Sequence, residues 1–196
     1  LNAVIRAVVR RGERHYGDEI VGSRDGWRGL IDGDLQPLDV DGLRGTISRG
    51  GTVLGTTRTN PFKIAGGERA VFDTVAREGI DAVISIGGEG TLSCTLEFHR
   101  RGLPVVGVPK TIDNDIGVTE RTFGFDTAVH IATEAIDRLH TTAESHNRIM
   151  VVEVMGRHVG HIATWAGIAG GATRTLIPEE PFDIREICAS LSKRHG

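Results

Sequence analysis

Three short runs in this 196-residue chain combine glycine with charged side chains in patterns suited to handling phosphate. The first, Gly87-Gly88-Glu89-Gly90-Thr91, lies between an apolar run and a helical pattern. Glycine lets backbone N–H groups face an anion, and a helix start adds partial positive charge. Glu89 would repel a phosphate unless a cation stood between them, which points to a Mg²⁺ contact. The competing reading is a tight strand-to-helix turn with a solvated acid. The run also lacks the Gly-Lys-Ser/Thr ending of a P-loop.

The second run, Lys110-Thr111-Ile112-Asp113-Asn114-Asp115, sets Asp113 and Asp115 two positions apart beside a lysine. Moving a phosphoryl group to an alcohol requires a carboxylate to take the hydroxyl proton and cations to offset the moving charge. Asp and Asn also favour turns through local hydrogen bonds, so an Asx-rich turn explains the run in isolation. Beside a second glycine-acid loop, the chemical reading is the stronger one. The third run, Met155-Gly156-Arg157, offers a guanidinium fork of the kind that grips phosphate, with Arg148 upstream. Arg58, in Gly55-Thr56-Thr57-Arg58-Thr59-Asn60-Pro61, reads equally as a donor-nucleotide contact or a surface arginine. Arg6, Arg10 and Arg14 form a solvated helix face or an effector-phosphate cluster. His158 and His161 stand three apart, but no acid or cysteine is spaced to complete a zinc site with them.

Composition narrows the field. Hydrophobic residues make up 39% and charged residues 25%, as in ordinary globular proteins. The length allows one good core, or one and part of a second. A net charge of −3 gives no electrostatic reason for nucleic acid or an anionic membrane as partner. No apolar run approaches the roughly 20 residues that span a bilayer. Cys94 and Cys188 lie far apart in helical patterns, which favours reduced thiols and a cytoplasmic setting. The 27 glycines, about twice the usual share of about 7%, cluster at the ends of apolar runs rather than forming a linker.

The elements that must carry these loops follow from periodicity. A first helix places Val4, Ile5 and Val8 inward. A short strand near residues 19–23 precedes a Gly- and Asp-rich stretch to Gly51 with no clear assignment. A helix spans 68–78 with Val71 and Val75 inward. Strands are expected at 81–86, 104–108, 149–154 and 175–177, with helices after Thr91, over 124–144, over 161–168 and from Asp183. Phe125, Ala128, Ala132, Ala135, Ile136 and Leu139 form one stripe of the long helix. Strand, loop and helix in repetition predict an α/β fold of open, mostly parallel sheets covered by helices. All three loops are then expected beyond the carboxyl ends of strands, where such sheets bind ligands. The chain starts within a helix and ends at Lys193-Arg194-His195-Gly196 inside an unfinished unit, so a fragment is expected.

Together these runs resemble the 6-phosphofructokinase family, ATP- or pyrophosphate-dependent and of bacterial type. The matching stretches are Leu1-Asn2-Ala3-Val4-Ile5-Arg6, Gly87 to Thr91, Pro109 to Asp115, Phe123-Gly124-Phe125-Asp126-Thr127-Ala128, Val152 to Arg157, and Pro178-Glu179. The resemblance implies a two-domain architecture, with a donor-binding domain over 1–123 and part of a sugar-phosphate domain over 124–196. It implies glycolytic transfer from MgATP to the 1-hydroxyl of fructose 6-phosphate, with Asp113 as base and Arg157 and Lys110 assisting. Arg58, Thr59, Gly88, Glu89, Gly90 and Thr91 would hold the donor, with Glu89 on Mg²⁺. Thr111, Asp113, Asp115, Met155, Gly156 and Arg157 would hold the sugar phosphate. Arg148 resembles an arginine that reaches a neighbouring subunit's site, which implies a homo-oligomer. In the family, Gly at position 90 leaves room for ATP where Asp accompanies pyrophosphate, while Lys at position 110 is typical of pyrophosphate enzymes. Room at Gly90 favours ATP. The alternatives are a pyrophosphate-dependent enzyme, an NAD or lipid kinase sharing the glycine-acid loop, and a non-catalytic regulatory subunit.

Overall fold

The computed structural model describes residues 1–192, so the expectation about Lys193 to Gly196 lies outside the described residues. The chain divides into two compact units, Leu1–Lys110 and a second beginning at Thr111.

In the first unit, α1 (Asn2–Arg11) runs into a wide turn over Gly12–Tyr16 and reaches β1 (Ile20–Ser23). Asn2, Ile5 and Val9 are the buried residues of α1; of the expected face, Ile5 is buried while Val4 and Val8 are half-buried, so the helix is turned somewhat from that face. Asn2 explains the rotation, because its amide belongs inside: it donates to Arg49 O at 3.0 Å and accepts from Val53 N at 2.9 Å. The stretch left unassigned folds into α2 (Trp27–Asp32) and β2 (Leu35–Leu38), and β2 pairs antiparallel with β1. Gly33, left-handed at φ 73°, ends α2 as only glycine does at little cost.

After a short turn at Pro61–Lys63 come α3 (Gly67–Arg77), β3 (Val83–Gly87), α4 (Glu89–Arg100) and β4 (Val105–Pro109). β3 and β4 are parallel, with Val83 opposite Val105 and Gly87 opposite Pro109. The crossover helix α4 is tied to β3 by a buried hydrogen bond from Thr95 Oγ1 to Ser85 Oγ, 2.9 Å long. Phe98 anchors the core beneath α4. Its ring meets Trp27 at 4.7 Å, Phe62 at 4.6 Å and Phe72 at 5.8 Å. Cys94 lies one turn earlier on the same face, and burial raises its thiol pKa. Ile5, Val9, Val40 and Leu43 form a second cluster between α1 and the residues after β2.

The second unit contains α5 (Phe125–Ser145), α6 (His161–Ala169) and α7 (Ile184–Ser192). Phe125 alone of the predicted α5 stripe is fully buried; Ala128, Ala132, Ile136 and Leu139 are half-buried and Ala135 is exposed. The strands expected at 149–154 and 175–177 are absent. A parallel strand needs a neighbouring ladder for its N–H and C=O groups. Among the described residues neither stretch has one, so the apolar run stays extended and open, with Val151 92% exposed. α5 and α6 run side by side in the same direction. Phe125 meets His161 at their starts, 6.4 Å between ring centroids, and His140 meets Gly170 O at 2.6 Å further along.

Candidate active site

The glycine-acid loop sits where β3 becomes α4. Lys110 follows β4, and its N–H donates to Gly87 O at 2.8 Å, so the two strand ends are joined there. The glycines of this loop are not equivalent. A Cβ on Gly87 would stand 2.5 Å from Thr91, so packing demands glycine. On Gly88 it would touch Lys110 O at only 3.7 Å, and on Gly90 it would meet no protein atom within 4 Å. Gly90 also occupies the first turn of α4, where glycine costs helix stability. Protein packing therefore gives no reason for glycine at position 90; it leaves space free beside the helix start. Glu89 is exposed between these open positions. One carboxylate of this kind suits Mg²⁺, which is usually bound by one or two protein acids plus phosphates and water.

Arg58 and Thr59 lie in a segment fastened to Asp25. Gly55 is left-handed at φ 74°, and a Cβ there would collide with Asp25 Oδ1. Thr57 Oγ1 donates to Asp25 O at 2.9 Å, and Thr59 Oγ1 lies 2.9 Å from Thr57 Oγ1. The Arg58 side chain is exposed on this tethered loop. Two surface depressions of this unit, one lined by Phe62 and Phe72 and the other by Leu38 and Arg49, contain none of the candidate residues.

In the second unit the acid run forms a closed turn. Thr111 Oγ1 accepts from Asp113 N at 3.2 Å, and Asn114 is left-handed at φ 55°. Thr111, Asp113 and Asn114 are half-buried, while Asp115 is exposed. The Met155-Gly156-Arg157 turn is equally specific. Gly156 has φ 123°, and a Cβ there would stand 2.5 Å from Val159 O, so no other residue fits without strain. Met155 and Arg157 project to the outside.

The parallel pairing of α5 and α6 decides which candidates meet. The Asp113 turn leads into the start of α5, and the Met155-Gly156-Arg157 turn leads into the start of α6. Because Phe125 and His161 are in contact, both turns belong to the same end of the helix pair. Two helix N-termini at one end favour an anion there. Arg148 does not join them. It follows the C-terminal end of α5, whose 21 residues span about 32 Å.

Three residues in this region were not singled out from sequence. Asn114 and Thr122 clamp the Asp113 turn, and Glu179 holds the arginine turn. Glu179 Oε1 accepts from Gly160 N at 2.8 Å. Gly160 is buried, and a Cβ on it would press on Ile177 at 2.4 Å. The matched pair Pro178-Glu179 was the available signal, but spacing alone gave it no role. The Gly160 N–H is the first cause holding the Glu179 carboxyl below its usual 4.5; its own N–H and the His161 charge contribute, against a smaller opposing effect of burial. A carboxylate with a depressed folded pKa adds stability above its unfolded value and loses it as pH falls through the folded one. In the intact protein, Glu179→Gln should therefore melt below the wild type at neutral pH, with the gap closing as pH drops below 4.5. Paired melting curves across that range provide the measurement, and a gap independent of pH would remove the carboxylate charge from this role.

All 196 residues match the family model described as Phosphofructokinase. A pyrophosphate–fructose 6-phosphate 1-phosphotransferase of Streptomyces coelicolor is 58% identical over 195 residues, covering 99% of this chain and 57% of that protein. ATP-dependent 6-phosphofructokinase 3 of the same organism is 55% identical over 194 residues, covering 99% and 57%. The crystal structure of Pichia pastoris phosphofructokinase in the T-state superposes with a TM-score of 0.86 at 35% identity, over 98% of this chain and 22% of that one. The chain thus spans 57% of the length of these curated relatives. The family match spans the whole sequence and the structural match 98% of it, and the chain belongs to the phosphofructokinase family.

Proposed function

We propose that the intact protein is a 6-phosphofructokinase, transferring the γ-phosphoryl group of ATP in line to the 1-hydroxyl of fructose 6-phosphate in the glycolytic direction. The observation that carries this reading is the pairing of α5 and α6, which sets the Asp113 turn and the Met155-Gly156-Arg157 turn at one end of two helices. A carboxylate to take the hydroxyl proton and an arginine to receive phosphate are what the acceptor half of the reaction needs. Asp113 removes the proton from the sugar hydroxyl. Arg157 holds phosphate and offsets charge as the phosphoryl group moves. Thr111, Asp115, Met155 and Gly156 line the sugar-phosphate site. Gly88, Gly90, Thr91, Arg58 and Thr59 receive the donor, and Lys110 faces its phosphates. Glu89 would hold Mg²⁺, which when bound neutralises and orients the donor phosphates.

The functional division in this reading is a donor-binding domain over 1–123 and part of the sugar-phosphate domain over 124–196. It does not coincide with packing, since the Asp113 turn folds with the second unit. Arg148, placed past the far end of α5, serves the site of a second subunit, so the enzyme is a homo-oligomer. A cytoplasmic location belongs to the same reading; among the described residues no helix is long and apolar enough to cross a membrane.

Pyrophosphate is the second donor to consider, because Lys110 and a 58% identical relative named for pyrophosphate favour it. Overall identity does not separate the two donors, since an ATP-dependent relative stands at 55%. The open space at Gly90 favours ATP. The intact protein should therefore phosphorylate fructose 6-phosphate faster with ATP than with pyrophosphate, and the reverse ranking in a two-donor assay would overturn the choice. A Cβ at position 90 has open space around it, so in this reading a carboxylate there would face the donor. Gly90→Asp should fold normally and raise the KM for ATP roughly tenfold or more through charge repulsion. An unchanged KM would place the donor elsewhere.

A further inference from the structure

We infer that Asn114 is a positioning residue for Asp113, and that it acts through a clamp on Thr122 rather than by touching substrate; this rests on the reading of Asp113 as base. Both ends of the Asn114 amide are committed within the protein. Its Oδ1 accepts from Thr122 N at 2.8 Å, and its Nδ2 donates to Glu120 O at 3.3 Å. Thr122, only 3% exposed, returns the contact by donating its hydroxyl to Thr111 O at 2.9 Å. Gly124, at φ 126°, completes the approach, since a Cβ there would lie 3.1 Å from the same Thr111 O.

Residues 111 and 114 are thus each bonded to the segment at 120–122, and Asp113 is held between them. Its own N–H is fixed by Thr111 Oγ1 at 3.2 Å. In the intervening loop Asp115, Gly117 and Val118 are exposed, Val118 fully so, and Thr119 Oγ1 ties the loop locally to Ile116 O at 2.6 Å. Without the clamp, motion of this loop would pass directly to Asp113. The left-handed backbone of Asn114 is a separate requirement, which Asn tolerates and Gly meets freely. Side-chain clamp and backbone conformation can therefore be separated by substitution.

The test uses the intact protein with fructose 6-phosphate and its better donor. Asn114→Gly keeps the backbone conformation and removes the clamp. It should lower kcat by about tenfold to a hundredfold, the scale of a misplaced reacting group, with both KM values within about threefold. Thr122→Val, which loses the hydroxyl at similar size, should also lower kcat, whereas Thr122→Ser should retain it. Amide exchange at Thr122 should accelerate in Asn114→Gly, and circular dichroism and melting curves check that the variants fold. A kcat within twofold of wild type despite faster Thr122 exchange would overturn the inference. So would a change confined to the KM for the sugar, which would make Asn114 a substrate contact. A wild-type protein that phosphorylates no fructose 6-phosphate with either donor would instead sink the reading of Asp113, and this inference with it.

Discussion

Asp113→Ser in the intact protein is expected to lower kcat for fructose 6-phosphate by about 10²- to 10⁴-fold, the usual contribution of a positioned general base. The KM for the sugar should change by less than about threefold, because the proposed phosphate grip belongs to Arg157 and its turn. The physical basis is the geometry of the acid run. Asp113 is half-buried and fixed at its own N–H, and its turn shares one end of the α5–α6 pair with the arginine turn. Serine is small and has no charge to accept the hydroxyl proton, so it removes the base without filling space that the sugar needs. A kcat reduced by less than about tenfold would take Asp113 out of the role of base, and Asp115 would be the next carboxylate to substitute.

The largest stability effect is expected at Phe98. Phe98→Ala should destabilise the first unit by about 3–5 kcal/mol, the range for removing a buried aromatic ring. Phe98 is 0% exposed and stacks against Trp27, Phe62 and Phe72, so its loss opens a cavity with aromatic walls on three sides. Those walls resist collapse. Phe62 is also covered by the Arg101 guanidinium, 4.6 Å from its centroid, and Arg101 is itself paired with Glu68 on α3 and Glu97 on α4. The effect reaches the proposed donor site through α4, since the helix that Phe98 anchors begins with Glu89 and Gly90. Urea unfolding followed by Trp27 fluorescence in a Trp165→Phe background would measure the loss. A value under about 1 kcal/mol would mean that the core closes over the gap.

Much of the fold was legible because helices and parallel strands leave periodic marks within a single stretch of chain. The apolar runs at β3 and β4, the helices around Val71, Phe98 and Phe125, and the loops between them all follow from spacing that a few neighbouring residues satisfy. The segments at 149–154 and 175–177 have equally good strand composition, yet neither is a strand. A strand is completed by a partner, and its own residues cannot report whether one is present. Asn2 turned α1 somewhat from its expected face for a related reason: its two partners lie 47 and 51 positions further along.

The same contrast applies to the candidate site. Residue type and order brought out Asp113, Glu89, Arg157 and Arg148, because chemistry restricts which side chains serve and the runs are contiguous. Sequence alone could not say which glycines packing requires. Gly87 and Gly156 are demanded by neighbouring atoms, while Gly88 and Gly90 stand open, and only the tertiary structure separates these cases. The placing of the acid turn and the arginine turn at one end of the helix pair was equally hidden, as was the placing of Arg148 at the far end of α5. Both depend on two helices, separated by 15 residues of irregular chain, packing in the same direction. The sequence by itself determined which reactive groups are present and which loops carry them. Their grouping, and the hydrogen bonds of Asn114, Thr122 and Glu179 that hold the turns, were decided by tertiary packing, because those contacts join residues whose separation follows no local period.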